Sequence, residues 1–165
     1  DHLIDMMPER YIAFGDRTEN GYFSFDPGTN NHGATIHVNT KTNGKKIFSL
    51  MPKIACMLAD QGNNIIIDEV LFGDDILKLY AKELSSHTSY FMGIICDLVT
   101  MQQREILRGD RAIGLANDQI DLVHVGYRKY DLKIDTTNQS PFAASKLILD
   151  FIDNNPNHTG LKVDL

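Results

Sequence analysis

The chain has 165 residues, a length that suits one domain with a core of useful size. Hydrophobic residues make up 42% and charged residues 23%, which sets it apart from disordered and membrane-embedded chains. The net charge of −6 argues against a non-specific nucleic-acid binder, which needs a basic surface, but leaves room for a local basic pocket for phosphates.

Cys56 falls on a predicted helix and Cys96 at the end of a predicted strand. Two buried, widely spaced thiols suit a reduced cytosolic protein better than a disulfide framework. No apolar run approaches the roughly 20 residues of a membrane span, and no signal peptide is visible. The expectation is a cytoplasmic protein with neither nucleic acid nor membrane as partner. The chain begins with Asp1 rather than Met, so its true N-terminus is expected to lie upstream.

In chain order, residues 1–11 read as the end of a helix, with Leu3, Ile4, Met6 and Met7 close together and Pro8 as a breaker. Residues 15–44 are rich in Gly, Asn, Asp and Thr. Within them, Tyr22-Phe23-Ser24-Phe25 and Ala34-Thr35-Ile36-His37-Val38 predict a small hairpin-like insertion around 20–40. Its turn is expected at Asp26-Pro27-Gly28 and the asparagines that follow. From Lys45 to Asp60 the apolar residues Ile47, Leu50, Met51, Ile54, Met57 and Leu58 recur at helical spacing, and Gly62 is a suitable stop.

Asn64 to Val70 is a continuous β-branched run, the pattern of a strand covered on both faces in a parallel sheet. Asp74 to Leu84 predicts a helix and Ser89 to Cys96 a second buried strand. Leu98–Leu107 and Ala112–Val125 predict two helices joined at Arg108-Gly109-Asp110-Arg111. Tyr130 to Asp135 alternates as a third core strand. Ser140-Pro141 is an N-cap and first-turn pair opening a helix that turns Phe142, Leu147, Ile148, Phe151 and Ile152 inward. The polar tail from Asn154 is expected to fray. Helices alternating with buried strands imply right-handed βαβ units and an α/β fold with a parallel sheet. Ligands of such sheets sit at the carboxyl ends of the strands, here Asp68-Glu69, Cys96-Asp97 and Asp135-Thr136-Thr137.

The candidate chemistry gathers at these ends. A strand-end carboxylate such as Asp68, with Glu69 beside it, can hold Mg²⁺ near phosphates, or can simply cap the next helix. Arg104 and Arg108 share a helical face, and Gly109 allows a turn that brings Arg111 to the same side. Planar guanidinium donors fit phosphate oxygens, and a mobile segment carrying them could close over a nucleotide. The alternative is a solvated face paired with Glu105 and Asp110. Asp1 could act as a base on a hydroxyl acceptor or be an ordinary exposed terminal residue. Thr136 and Thr137 could contact a base or ribose or serve only the turn. His32 and His37 lack metal-ligand spacing, so zinc is not expected there. His124 reads as a satisfied core residue on an apolar helix face. Neither cysteine has a basic or helix-start context that would make it a nucleophile. No G-x-x-x-x-G-K-[ST] motif occurs, and Gly44-Lys45 lies in the wrong context.

Several segments, in order, nevertheless resemble one family. They are Asp1-His2-Leu3-Ile4 with Met7-Pro8, Ile65 to Val70, and Arg104-Glu105 through Arg108-Gly109-Asp110-Arg111-Ala112-Ile113-Gly114. Gln119, Val123-His124, Tyr130-Asp131 and Asp135-Thr136-Thr137 follow. As a set they resemble the chloramphenicol phosphotransferase-like family of P-loop kinases, closely from Asn64 to Thr137 and loosely between residues 9 and 60.

The resemblance implies a three-layer P-loop kinase fold, a parallel sheet flanked by helices. It also implies a single kinase-like domain whose first strand, P-loop and first helix lie upstream of Asp1, with a lid over about residues 104–116. It implies ATP and Mg²⁺ as cofactors and transfer of the γ-phosphoryl group to a hydroxyl of a small molecule. In that scheme Asp1 is the general base, Asp68 the acid behind Mg²⁺ with Glu69 beside it, and Arg108 and Arg111 grip the phosphates with help from Arg104. Asp135, Thr136 and Thr137 form the loop near the adenine. Residues 9–44 would shape the acceptor pocket, and they depart most from the family, so chloramphenicol itself is not implied. A non-catalytic nucleotide-binding or interaction module without a P-loop, and a toxin-like kinase of a sugar nucleotide, stand as alternatives. A homo-oligomer is left open.

Overall fold

A computed structural model of the chain describes residues 7–8, 11–14, 22–125, 129–156, 158 and 161. It shows a mixed α/β protein with two small sheets. The chain divides into two compact units, residues 1–48 with 101–120, and residues 49–100 with 121–165.

The first unit is built on a hairpin. Strands β2 (Phe23–Asn30) and β3 (Gly33–Thr40) pair antiparallel from Phe23↔Thr40 to Asn30↔Gly33, and β1 (Ile12–Phe14) pairs parallel with β2. The expected hairpin is present and longer than its sequence signal, and its turn lies elsewhere. Asp26, Pro27 and Gly28 belong to the ladder, opposite His37, Ile36 and Thr35, and the chain reverses at Asn31-His32. Among the described residues β1 pairs no further than Phe25, so Pro27 falls beyond that ladder and its missing N–H is tolerated. The Asn30 side chain closes the turn by accepting the His32 backbone N–H at 2.8 Å.

Helix α1 (Thr42–Phe48) follows β3, and its Phe48 ring meets the fully buried Phe23 edge-on at 5.1 Å. Later in sequence come α4 (Leu98–Arg108), whose residues from Met101 belong to this unit, and the short α5 (Leu115–Gln119). The helix expected over Ala112–Val125 is reduced to that one short piece. Gly114, at φ +111, breaks it on one side, and His124, at φ 64, stands outside any helix on the other.

The second unit contains α2 (Met51–Asp60), α3 (Asp75–Glu83), β4 (Met92–Ile95), β5 (Leu132–Asp135) and α6 (Pro141–Asn154). β4 and β5 pair in parallel from Met92↔Leu132 to Ile95↔Asp135, so the expected parallel pairing is present for these two strands. The core gathers where α2 meets α3. Ala55, Tyr80 and Leu84 are buried together, with Met51, Cys56, Leu71, Ile76 and Leu161 packed against them. Lys45–Asp60 is two helices rather than one, because the buried Pro52 is tolerated only in a first turn and so starts α2 afresh. Gly62 ends α2 as expected, its N–H donating to the Ala59 carbonyl at 2.8 Å.

The largest departure is the β-branched run. Asn64 to Val70 forms no ladder with any described residue, and Ile66 is 96% exposed. An apolar run becomes a buried strand only if neighbouring strands and covering helices meet it, and among the described residues only β4 and β5 pair in this unit. On α6 the inward face is also displaced: Ala144 is the buried contact, whereas Phe142 is 80% exposed and Leu147 is exposed. Ser140 caps α6 as its sequence predicts, its Oγ accepting the Ala143 N–H at 3.1 Å.

The tail does not fray at once. The Tyr90 hydroxyl donates to the Asn155 carbonyl at 2.7 Å, and His158 stacks on Tyr90 and lies 2.7 Å from the Asp131 carboxylate. His124 is exposed rather than in the core, with Nδ1 2.6 Å from the Tyr130 hydroxyl.

Candidate active site

The arginine segment is organised by Glu105, which the sequence reading placed only as a surface partner. Its carboxylate is buried and accepts the Gly114 N–H at 2.8 Å and the Ala116 N–H at 2.9 Å. It thus satisfies donors at the start of α5 that no turn of helix can satisfy. An i, i+9 acid-to-glycine relation has no periodic signature, so only a left-handed glycine before a helix start could have hinted at it. Gly114 is fixed from the other side as well. A Cβ there would lie 3.0 Å from the Ala34 carbonyl oxygen and 3.1 Å from the Ile36 nitrogen, and the Gly114 carbonyl accepts the Ile36 N–H at 3.2 Å.

Asn117 completes the anchorage to the hairpin. Its side chain donates to the Ala34 carbonyl at 2.8 Å, and its carbonyl accepts from the Asn30 amide at 2.7 Å. Gln102 of α4 donates to the Asn117 side-chain oxygen at 2.7 Å, tying the two helices of this segment together. His37 lies 3.0 Å from the Asp118 carboxylate.

Between these anchors runs Arg108-Gly109-Asp110-Arg111. Gly109 takes φ +71, the turn its sequence suggested. Arg108 Nε sits 2.8 Å from the Asp110 carboxylate, with both side chains more than half exposed, so the pair contributes little stability. Arg104 is exposed and Arg111 half-buried. The segment expected as a lid, 104–116, is therefore a partly exposed arginine-bearing turn on a hydrogen-bonded base.

In the second unit, the ends of β4 and β5 bring two acids together. Asp97 caps α4, its carboxylate accepting the Thr100 N–H at 2.7 Å and the Thr100 hydroxyl at 3.1 Å. Asp135 accepts the Thr137 N–H at 2.9 Å, the short loop typical of an aspartate two residues ahead of its partner. Thr137 Oγ1 in turn accepts the Asp97 N–H at 3.0 Å, and the Thr136 hydroxyl donates to the Ile95 carbonyl at 3.0 Å. The Thr100 N–H holds the Asp97 carboxyl below its usual range, and hydrogen bonding from Thr137 does the same for Asp135. Two ionised carboxylates at adjacent parallel strand ends define a polar rim where α/β sheets bind ligands. Asp135, Thr136 and Thr137 were singled out from sequence. Asp97 was noted only as a strand end.

Asp68 and Glu69 do not behave alike. Asp68 is exposed. Glu69 is half-buried and accepts a short hydrogen bond from the Tyr80 hydroxyl of α3. Burial pushes the Glu69 carboxyl up, while the bond from Tyr80 opposes that shift. Burial and the Glu69 carboxylate both push the Tyr80 phenol up. An exposed carboxylate is a hard oxygen donor of the kind Mg²⁺ takes, so Asp68 fits that ion. Glu69 is committed to Tyr80 and fits it less well. Asp1, the candidate base, lies outside the described residues.

A family model for chloramphenicol phosphotransferase-like proteins matches residues 1–153, nearly the whole chain. The chain belongs to the chloramphenicol phosphotransferase-like family. Membership makes this a protein of phosphotransferase type, and the match covers the hairpin, the arginine turn and both strand ends together. No curated protein matches the chain. Among the described residues of this family member, no helix is long and apolar enough to cross a membrane.

Proposed function

We propose that the protein is an ATP-dependent kinase that transfers the γ-phosphoryl group to a hydroxyl of a small molecule, on a three-layer P-loop kinase fold. The observation that carries this reading is the Arg108–Arg111 turn, held on a hydrogen-bonded base by Glu105, in a chain of the chloramphenicol phosphotransferase-like family. Phosphoryl transfer asks the protein chiefly for positioning and for positive charge around the transferring group. Arg108 and Arg111 supply that charge, and Arg104 assists from the preceding helix turn. A Mg²⁺ ion, held through Asp68, would neutralise charge on the β- and γ-phosphates. Asp135, Thr136 and Thr137 line the adenine side, and Asp1 takes the proton of the acceptor hydroxyl. The protein works in the cytoplasm on a metabolite or an antibiotic, with the hairpin at residues 23–40 helping to select it.

A coupled assay of ATP consumption by the native full-length protein, run over a panel of hydroxyl compounds, tests the reading. Turnover with at least one acceptor, lost without Mg²⁺ and lost in Asp68→Ala, is the expected result. Absence of turnover with tight ATP binding would favour a second reading, a non-catalytic nucleotide-binding module. That reading draws its support from the absence of a phosphate-cradling G-x-x-x-x-G-K-[ST] motif in these 165 residues.

A further inference from the structure

Cys56, Asp60 and His87 form a cluster that the kinase chemistry does not use. Cys56 and Asp60 stand at i and i+4 on α2 and so share one helical face. His87 comes from the turn after α3, where its N–H donates to the Leu84 carbonyl at 3.0 Å. The three side chains converge. Cys56 Sγ is 3.8 Å from His87 Nε2 and 3.8 Å from Asp60 Oδ2, and His87 Nε2 is 3.1 Å from Asp60 Oδ1.

Two functions could account for such a trio, and the atoms involved separate them. In a nucleophilic Cys-His-Asp relay, the thiol and the carboxylate address opposite nitrogens of the imidazole, so that a proton can pass through the ring. Here both address Nε2. Convergence on a single point is instead what a shared ion requires. Zinc bonds of about 2.3 Å to sulfur and about 2.0–2.1 Å to nitrogen and oxygen, at tetrahedral angles, give ligand edges of about 3.4–3.6 Å. The observed separations of 3.1, 3.8 and 3.8 Å bracket those edges.

We infer that Cys56, Asp60 and His87 form a Zn²⁺ site that clips the end of α2 to the turn after α3. Thiolate, imidazole and carboxylate suit zinc better than the hard ions Mg²⁺ or Ca²⁺, and the two anionic ligands balance its charge. A water completes the tetrahedron on the exposed Asp60 side. The clip sits beside the Ala55-Tyr80-Leu84 cluster and cross-links the two helices that supply it. The sequence cue was the Cys-x-x-x-Asp spacing on a helix, which His87 completes only through the turn after α3.

The test is titration of the full-length protein with Co²⁺, then displacement by Zn²⁺. The expected result is one equivalent of tetrahedral cobalt with a thiolate-to-cobalt charge-transfer band, displaced by Zn²⁺, and a rise in Tm with Zn²⁺. Cys56→Ser, His87→Gln and Asp60→Asn should each weaken Zn²⁺ binding by at least about 100-fold, since losing even an outer partner of a ligand costs about 10–100-fold. Cys96→Ser should bind as the parent does. Octahedral cobalt without a thiolate band, or a band that survives Cys56→Ser, would overturn the site and leave an ordinary Asp60–His87 ion pair. Asp60 is exposed, so Asp60→Asn keeps the fold and decides the matter if Cys56→Ser unfolds.

Discussion

The hairpin and the isoleucine run are both apolar β-type sequence, yet one is a fully registered ladder and the other pairs with nothing described. β2 and β3 are joined by two residues, so each strand finds its partner at little entropic cost, and their ladder runs through eight residue pairs. Ile65 to Val70, whose sequence predicts a parallel strand, would depend on strands distant in sequence. Local antiparallel pairing can therefore be read from a short window. Parallel pairing depends on neighbours specified elsewhere, and the expectation was met at β4 and β5 but not at Asn64 to Val70.

The arginine turn offers the largest way to probe this contrast, since it stands on the self-sufficient hairpin unit. Arg111→Ala is expected to lower kinase turnover by about 10³-fold, the scale of a phosphate-stabilising arginine. Circular dichroism should be unchanged, and near-normal turnover would end the lid assignment. Glu105→Ala attacks the base of the same turn. Losing two hydrogen bonds to a buried carboxylate should cost about 3 kcal/mol in urea unfolding and speed hydrogen exchange at Gly114 and Ala116.

The isoleucines sharpen the other side of the comparison. Ile134 on β5 is 3% exposed and Ile66 is 96% exposed. Ile134→Ala should cost about 2–5 kcal/mol. Ile66→Lys should change stability by less than about 0.5 kcal/mol. A large loss at Ile66, read from the urea midpoint, would mean that the run is covered in the working protein.

The smallest effect concerns acid. The Asp97 and Asp135 carboxyls are held down, so their contribution is present above about pH 4 and lost as pH falls through their lowered values. Asp97→Asn should flatten the acid limb of a stability-against-pH curve, and an unchanged limb would separate these aspartates from acid unfolding.

Much of the site was legible because its residues carry local chemistry. Gly109 between arginines announces a turn, Ser140-Pro141 announces a helix start, and Asp135-Thr136-Thr137 announces a strand end with a self-hydrogen-bonded loop. Elements set by distant contacts were not legible. Nothing near Glu105 in sequence says that it will be buried against Gly114. Nothing in Phe142 says that Ala144 will take the inward place on α6. Pro27 misled in the opposite direction, since a proline normally marks a turn and here sits inside a strand.

The anchorage of the arginine turn to the hairpin uses main-chain atoms of β3, the Ile36 N–H and the Ala34 carbonyl, together with the side chains of Asn30 and His37. Hairpin side chains other than Asn30 and His37 can change without touching these bonds, whereas a single inserted or deleted residue between Asn31 and Ala34 would shift both main-chain bonding atoms out of register. Length changes in this loop would therefore undo the support of the arginine turn, where most substitutions would leave it in place.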